Sequence, residues 1–429
     1  MTRWLGVVEG FYGPPLTHED RLDLLAWVSR WGYTCYGYAP KDEPLHRQRW
    51  REPYGDDDRA RFADLLDRGR DLGVEVALVL SPGLDWRSGD EEALIAKLSG
   101  FRDLGAKVLG IAWDDVPPGG ADLGAAHGEA VAAAVDAVGD GVRWITCPTD
   151  YATAVPTPYL DAYARAVPAG VEIMWTGPSI LSPTVDAAGA RAMGEVLRRP
   201  PLFAENFPVN DGAMSDVLHL GPYPDRPADL PDATSGVFCN LMPRSRASWL
   251  GLALAARYWT DPSTDREAAW QEVLAEIPGL APLARACRSW ACDPSVDPEL
   301  GEWAEAALAT DGKDTRLRDY LVTGCRNELD PRLAAELEPW LDQWDAESQA
   351  MQFALALLVE RPGRPAEMAF VTSELWRRAR TMRAQVFGVR WAYYPVTEWA
   401  DGRFHARPES LVMGENLTDR VCRAVLTGG

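Results

Sequence analysis

Two carboxylates stand side by side in "GIAWDDVPPGG", residues 110–120: Asp114 and Asp115, at the end of a short apolar run and just ahead of proline and glycine. Along a regular strand neighbouring side chains point to opposite faces, but where a strand ends the chain bends and both acids can face one cavity. Burial, with Trp113 expected to flank the pair, and mutual repulsion then push the two acidities apart. One acid keeps a proton to donate while the other stays ionised, which is what cleaving a glycosidic bond requires. Ordinary glycosidases hold their carboxyls about 5–9.5 Å apart across the bond, a separation that sequence neighbours reach poorly. Adjacent acids suit a different scheme, in which the sugar's own 2-acetamido oxygen attacks the anomeric carbon. One acid orients and polarises the acetamide N–H and the other protonates the leaving oxygen, so the spacing favours an N-acetyl sugar. The plainer alternative is a polar turn after a strand, and the pair alone does not decide.

Such a pair needs a frame. Over the first 260 or so residues, β-rich runs alternate with helical patterns: "WLGVVEGFYG", "TCYGYAP", "VEVALVLSPG", "AKVLGIAWDD", "VRWITCP", "VEIMWTGP", "PPLFAENFPVND" and "SGVFCN". Thr17 and Asp20 form a capping box at the first helix, which Gly32 closes. Phe62, Leu65, Leu66 and Leu72 lie on one face of the second, and Leu94, Leu98 and Phe101 mark the third. Strands that read as continuous apolar runs are those buried on both faces. The fold class is α/β: a (β/α)8 barrel over residues 1–262 and an all-α helical domain over 263–429, with an open doubly wound sheet as the alternative to the barrel. Polar residues gather where the strands stop: Glu9-Gly10, Lys41-Asp42, Ser81-Pro82-Gly83, Asp114-Asp115, Cys147-Pro148-Thr149, Asn206 and Asn240. Barrels carry their active sites at these ends.

The chain of 429 residues carries a formal charge of −21, which disfavours nucleic acid and anionic membranes as partners. No run approaches the roughly 20 apolar residues of a membrane span, and the N-terminus has no signal-peptide pattern. Seven cysteines (Cys35, Cys147, Cys239, Cys287, Cys292, Cys325, Cys422) lack CxxC spacing, which argues for a reducing cytoplasm and against a disulfide framework. Five scattered histidines leave little for a transition metal, and no cofactor or metal is expected.

"GVVEGFYGPPLT", "YAPKDEPLHRQRWREPY", "SPGLDW", "WDDV", "CPTDY", "WTGPSI", "NFPVND" and "LGPY" follow one another in an order and spacing that resemble glycoside hydrolase family 84, the O-GlcNAcase or β-N-acetylglucosaminidase family that includes bacterial hyaluronidases. The resemblance covers roughly residues 3–260. It implies that Asp114 orients the acetamido group and that Asp115 is the general acid and then the base. Tyr151 would hydrogen-bond near the nascent oxazoline, and Lys41 and the backbone of Gly10 would hold sugar hydroxyls. Asn206 and Asp211 would fix the acetamide side and the 4- and 6-hydroxyls, and Asn240 would complete the hydroxyl contacts. Each has a plainer reading: Gly10 as a turn, Lys41 as a surface ion pair, Tyr151 as a core phenol, Asn206 and Asn240 as strand-end caps, Asp211 as a loop acid. Cys147 reads as a buried wall residue. The family has a tryptophan two residues before the asparagine of "NFPVND", where this chain has Ala204, followed by Glu205. Losing the indole removes about 2–4 kcal/mol of burial unless something fills the gap. Either the pocket is wider and takes a bulkier N-acetyl sugar, or an aromatic from the helical domain walls it.

The resemblance implies a retaining exo-β-N-acetylglucosaminidase acting on an N-acetylglucosamine-containing glycoside or glycoprotein. The alternatives are a catalytically altered sugar- or peptide-binding module, a hydrolase of a modified N-acetyl sugar glycoside in specialised metabolism, and an endo-hyaluronidase. The helical domain either forms a homodimer or packs within its own chain.

Overall fold

A computed structural model describes residues 3–427 apart from 291, 294, 325, 327, 361–364, 394–396, 401–402, 407–410 and 414. Cys325 therefore lies outside the described residues, as do several positions between 394 and 414. Eight parallel strands close into a ring: β1 (Trp4–Glu9), β2 (Cys35–Tyr38), β3 (Glu75–Leu80), β4 (Val108–Ala112), β5 (Arg143–Cys147), β6 (Val171–Trp175), β7 (Leu202–Glu205) and β8 (Gly236–Asn240). Each pairs with its neighbour in chain order, and β8 returns to β1 with Trp4 opposite Gly236 and Val8 opposite Asn240. The barrel expected from the alternation is the observed fold. The pairing of β8 with β1 leaves no edge strand in this ring and excludes the open sheet.

Alternation along the strands sorts side chains inward and outward. Ala77, Val79, Val108, Ala112, Ile145, Cys147, Leu202 and Phe238 form the inner apolar cluster. Gly6 leaves the space that the Phe238 ring fills, for a Cβ at Gly6 would lie 2.7 Å from it. The connecting helices are α1 (His18–Arg30), α2 (Asp56–Leu72), α3 (Glu91–Asp103), α4 (Ala121–Val138), α5 (Pro158–Ala166), α6 (Ala187–Leu197) and α7 (Trp249–Thr260). Thr17 caps α1 by accepting from the Asp20 amide at 3.1 Å, and Thr157 caps α5 by accepting from the Leu160 amide at 3.1 Å.

Helices α4 and α5 approach closely because Gly124 and Gly128 face the second helix. A Cβ on Gly124 would fall 2.2 Å from the Tyr159 carbonyl oxygen. Gly124→Ala is therefore expected to destabilise the protein by about 1–3 kcal/mol, the usual cost of overpacking. A denaturation midpoint unchanged from wild type would contradict this packing.

The chain divides into two compact units: residues 1–211, 224–264 and 395–405 form one, and residues 212–223, 265–394 and 406–429 the other. The second is built from α8 (Arg266–Ala275), α9 (Ala281–Ala286), α10 (Pro298–Ala309), α11 (Arg316–Val322), α12 (Pro331–Glu360), α13 (Pro365–Arg380) and α14 (Leu417–Thr427). Short strands at Trp391–Tyr393 and Leu411–Met413 pair antiparallel in a region expected to be wholly helical. The excursion 212–223 is tied to the helices by indole donors. Trp340 Nε1 bonds the Asp216 carbonyl at 3.0 Å and Trp270 Nε1 the Leu220 carbonyl at 2.7 Å. Buried Glu347 accepts from Arg390 at 2.8 Å and from Asn416 and Thr418 at 2.6 Å each, which fastens α14 to α12. Among the described residues no helix is long and apolar enough to cross a membrane.

Candidate active site

Asp114 continues the inward register of Val108 and Ala112 past the end of β4. Asp115, on a continuing strand, would face outward. Instead its backbone turns into the left-handed region, φ 57°, which aspartate and asparagine tolerate better than other non-glycine residues. The turn brings both carboxyls to one ammonium group. Lys41 Nζ hydrogen-bonds Asp114 Oδ2 and stands 3.8 Å from Asp115 Oδ2.

Two phenols hold Asp115. Tyr151 donates to Oδ1 at 2.9 Å and Tyr12 to Oδ2 at 2.8 Å. Arg47 donates to the Tyr12 hydroxyl oxygen at 2.9 Å and to the Asp115 main-chain carbonyl at 3.1 Å. Burial, and the nearby Asp115 charge, push both phenols up from their ordinary acidity, so both remain donors. Burial also acts to raise the Asp114 carboxyl, but the Lys41 ammonium and its hydrogen bond, helped by Arg47, carry it below the usual carboxylate range. Asp114 therefore stays ionised. Its second oxygen, Oδ1, is buried and accepts no hydrogen bond, a costly state that an N–H donor on a ligand would relieve.

A second group of residues forms a chain across four strand ends. The Gly10 amide donates to Asn240 Oδ1 at 3.1 Å, Asn240 Nδ2 to Asn206 Oδ1 at 3.3 Å, and Asn206 Nδ2 to the Ile180 carbonyl at 2.8 Å. A Cβ on Gly10 would crowd Asn240 Oδ1 at 3.2 Å. Asp211 Oδ2 accepts from the Tyr12 amide at 2.6 Å, and burial raises its carboxyl. The structure thus gathers Lys41, Asp114, Asp115 and Tyr151 into one cluster and links Gly10, Asn206 and Asn240 in another. Asp211 meets the first through Tyr12.

The loop after β1 is held by carboxylates at its base. Buried Glu9 takes two bonds from Arg21 at 2.8 Å each, one from the Leu16 amide at 2.9 Å and one from the Tyr36 hydroxyl. The Gly13 amide donates to Asp42 Oδ2 at 2.9 Å.

Trp113 does not flank the acids as expected. Strand alternation sends it to the helix side, where it is fully buried and stacks on His127 with ring centroids 4.0 Å apart. Cys147 lies in the inner apolar cluster, and its thiol is pushed well up by burial and the Asp114 charge. Ala204 is half-buried opposite Phe238, while Glu205 is buried in an ion pair with Arg226 at 2.8 Å. Tyr12 and Arg47, which residue type and spacing alone do not single out, lie in the stretches "GFYG" and "LHRQRW". Among the described residues, no group of three or more His, Cys, Asp or Glu side chains is arranged to hold a metal ion.

The family model described as beta-N-acetylglucosaminidase matches residues 5–290. Protein O-GlcNAcase of Rattus norvegicus is 27% identical over 274 residues, which cover 59% of this chain and 30% of that protein. The Mus musculus protein of the same name matches at 27% identity over the same shares. The match thus spans less than a third of these curated relatives. A solved structure of a mutant O-GlcNAc hydrolase from Thermobaculum terrenum superimposes with a TM-score of 0.81 at 23% identity, over 99% of this chain and 94% of that one, a likeness of fold.

Proposed function

We propose, from the premise that this chain belongs to the beta-N-acetylglucosaminidase family, that it is a glycoside hydrolase. It removes terminal β-linked N-acetylglucosamine from a glycoconjugate with retention of configuration, through an oxazoline. The observation that carries the reading is the unequal pair. Asp114 is ionised on Lys41 with one buried oxygen unmet, while Asp115, one residue on, is held between two phenols.

In this mechanism the substrate's acetamide N–H donates to Asp114 Oδ1, which aims the amide oxygen at the anomeric carbon, offsets the positive charge that grows on the amide by taking up the N–H proton as the oxazoline ring closes, and returns that proton when the ring reopens. Asp115 first takes a proton from solvent; as the amide oxygen then bonds to that carbon, the glycosidic bond breaks and Asp115 gives this proton to the departing oxygen. Asp115, now a carboxylate, takes a proton from water as the water oxygen attacks the same carbon and reopens the five-membered ring. Two inversions return the β configuration. Tyr151 positions Asp115 and the acetamide edge, while Lys41, Gly10, Asn206, Asp211 and Asn240 hold the sugar's polar groups. The Ala204 methyl leaves a roomier wall than an indole would, which extends the accepted substrates towards bulkier N-acetyl sugars.

The test is hydrolysis of an aryl N-acetyl-β-glucosaminide beside the matching aryl β-glucoside. Turnover of the first alone is expected; comparable turnover of both would overturn an acetamide nucleophile. Lys41→Met adds a pH test. Above its depressed pKa, Asp114 is ionised in the wild type; without the ammonium, burial acts with less opposition and the carboxyl holds its proton to higher pH. The acidic limb of the kcat/KM profile is expected to move up in pH, and a limb that stays or moves down would contradict the pairing.

A further inference from the structure

The acid at position 115 works only if its backbone departs from the strand. At φ 57° Asp115 turns its carboxyl back beside Asp114, and on a regular strand the two would point to opposite faces. Something must hold that turn. Tyr151 and Tyr12 touch the carboxylate, whereas Arg47 reaches the main chain itself, with its Nη2 donating to the Asp115 carbonyl at 3.1 Å.

The same guanidinium acts at a second point. Its Nη1 donates to the Tyr12 hydroxyl oxygen at 2.9 Å, and with a lone pair so engaged the hydroxyl turns its own proton to Asp115 Oδ2 at 2.8 Å. The guanidinium carbon also lies 5.5 Å from the centre of the Tyr12 ring. Arg47 is only 3% exposed and its Nε has no partner. A buried cation that leaves a donor unused is costly, so its two working arms must matter.

We propose that Arg47 is a positioning residue for Asp115, gripping it at the main-chain carbonyl and, through the Tyr12 hydroxyl, at the carboxylate, so that the acid is held in the left-handed turn beside Asp114. This deepens the function proposed above and rests on Asp115 being the proton donor. A lysine cannot replace it, because one ammonium point does not reproduce two arms in a fixed fork. The role is one of geometry and not of charge alone.

The test compares a methyl and a dinitrophenyl N-acetyl-β-glucosaminide, the first needing full protonation at departure and the second almost none. Arg47→Lys and Arg47→Ala are expected to cut kcat/KM on the methyl glycoside about 100-fold, the scale of a misplacement of an ångström. The loss on the dinitrophenyl glycoside is expected to stay within severalfold. Added guanidinium ion should restore part of the methyl-glycoside activity to Arg47→Ala. Tyr12→Phe, which removes one arm, should give a smaller loss with the same leaving-group bias, and it decides the matter if the Arg47 variants fail to fold. Equal losses on both substrates, or wild-type behaviour in Arg47→Lys, would overturn the inference while leaving the proposed function standing. A wild-type protein inactive on both substrates would remove both.

Discussion

Asp114→Asn is expected to lower kcat/KM on aryl N-acetyl-β-glucosaminides by about 10³-fold, at the upper end of what removing one preorganised electrostatic group costs. The substitution keeps the shape of the side chain and removes its charge. In the wild type that charge is secured from both directions: burial would protonate the carboxyl, and the Lys41 ammonium prevents it. The positive charge on the cyclising acetamide then meets a full negative charge on a buried carboxylate. An amide at 114 offers only a dipole, and its NH2 edge has to compete with the Lys41 ammonium for acceptors. Because the charge on the acetamide grows whatever alcohol departs, the loss should be the same for good and poor leaving groups. A loss below tenfold, or one that tracks leaving-group acidity, would show that Asp114 does not face the acetamide.

Asp115→Asn should behave differently. Asparagine tolerates the left-handed backbone at this position, so the variant removes the proton without adding backbone strain, which an alanine would introduce. For an alkyl glycoside kcat/KM is expected to fall by about 10³- to 10⁴-fold, the upper part of the range associated with a lost general acid. For a dinitrophenyl glycoside kcat/KM should hold within about tenfold, since that alcohol leaves as a stable anion. Its kcat should nevertheless fall, because water attack on the oxazoline now lacks a base and the intermediate accumulates. Steady-state rates on the two substrates, with a burst of released phenol on the second, check both halves. Uniform loss of kcat/KM on both would sink the acid role.

Much of the frame could be read from residues in order, because a parallel barrel writes itself locally. Apolar runs such as "VALVL" mark strands buried on both faces, and the polar residue after each marks the mouth. The capping box at Thr17 and Asp20 is equally local. Lys41, Asp114, Asp115, Tyr151, Gly10, Asn206, Asp211 and Asn240 are singled out by the family resemblance of the ordered motifs, and only the structure supplies which of them touch. Orientation was harder. Trp113 was expected beside the acids because it precedes them, yet period-two alternation puts it against His127. Asp115 joins Asp114 only through one backbone torsion that no residue type dictates. Tyr12 and Arg47 were missed because their partner lies 103 and 68 residues away in the chain, and nothing in a loop's composition reports so distant a carboxylate. The excursion at 212–223 had no compositional edge to mark it.

That excursion has a practical corollary. Since the chain leaves the barrel unit after Asp211, joins the helical unit for twelve residues, and comes back at Pro224 before leaving again after Thr264, the helical unit is not one continuous C-terminal stretch of the chain. A fragment stopped at residue 264 would strip the indole donors Trp270 and Trp340 from the Leu220 and Asp216 carbonyls, baring a loop whose first neighbour is Asp211. Neither unit of this chain is a cassette that shuffling could lift out with a single cut.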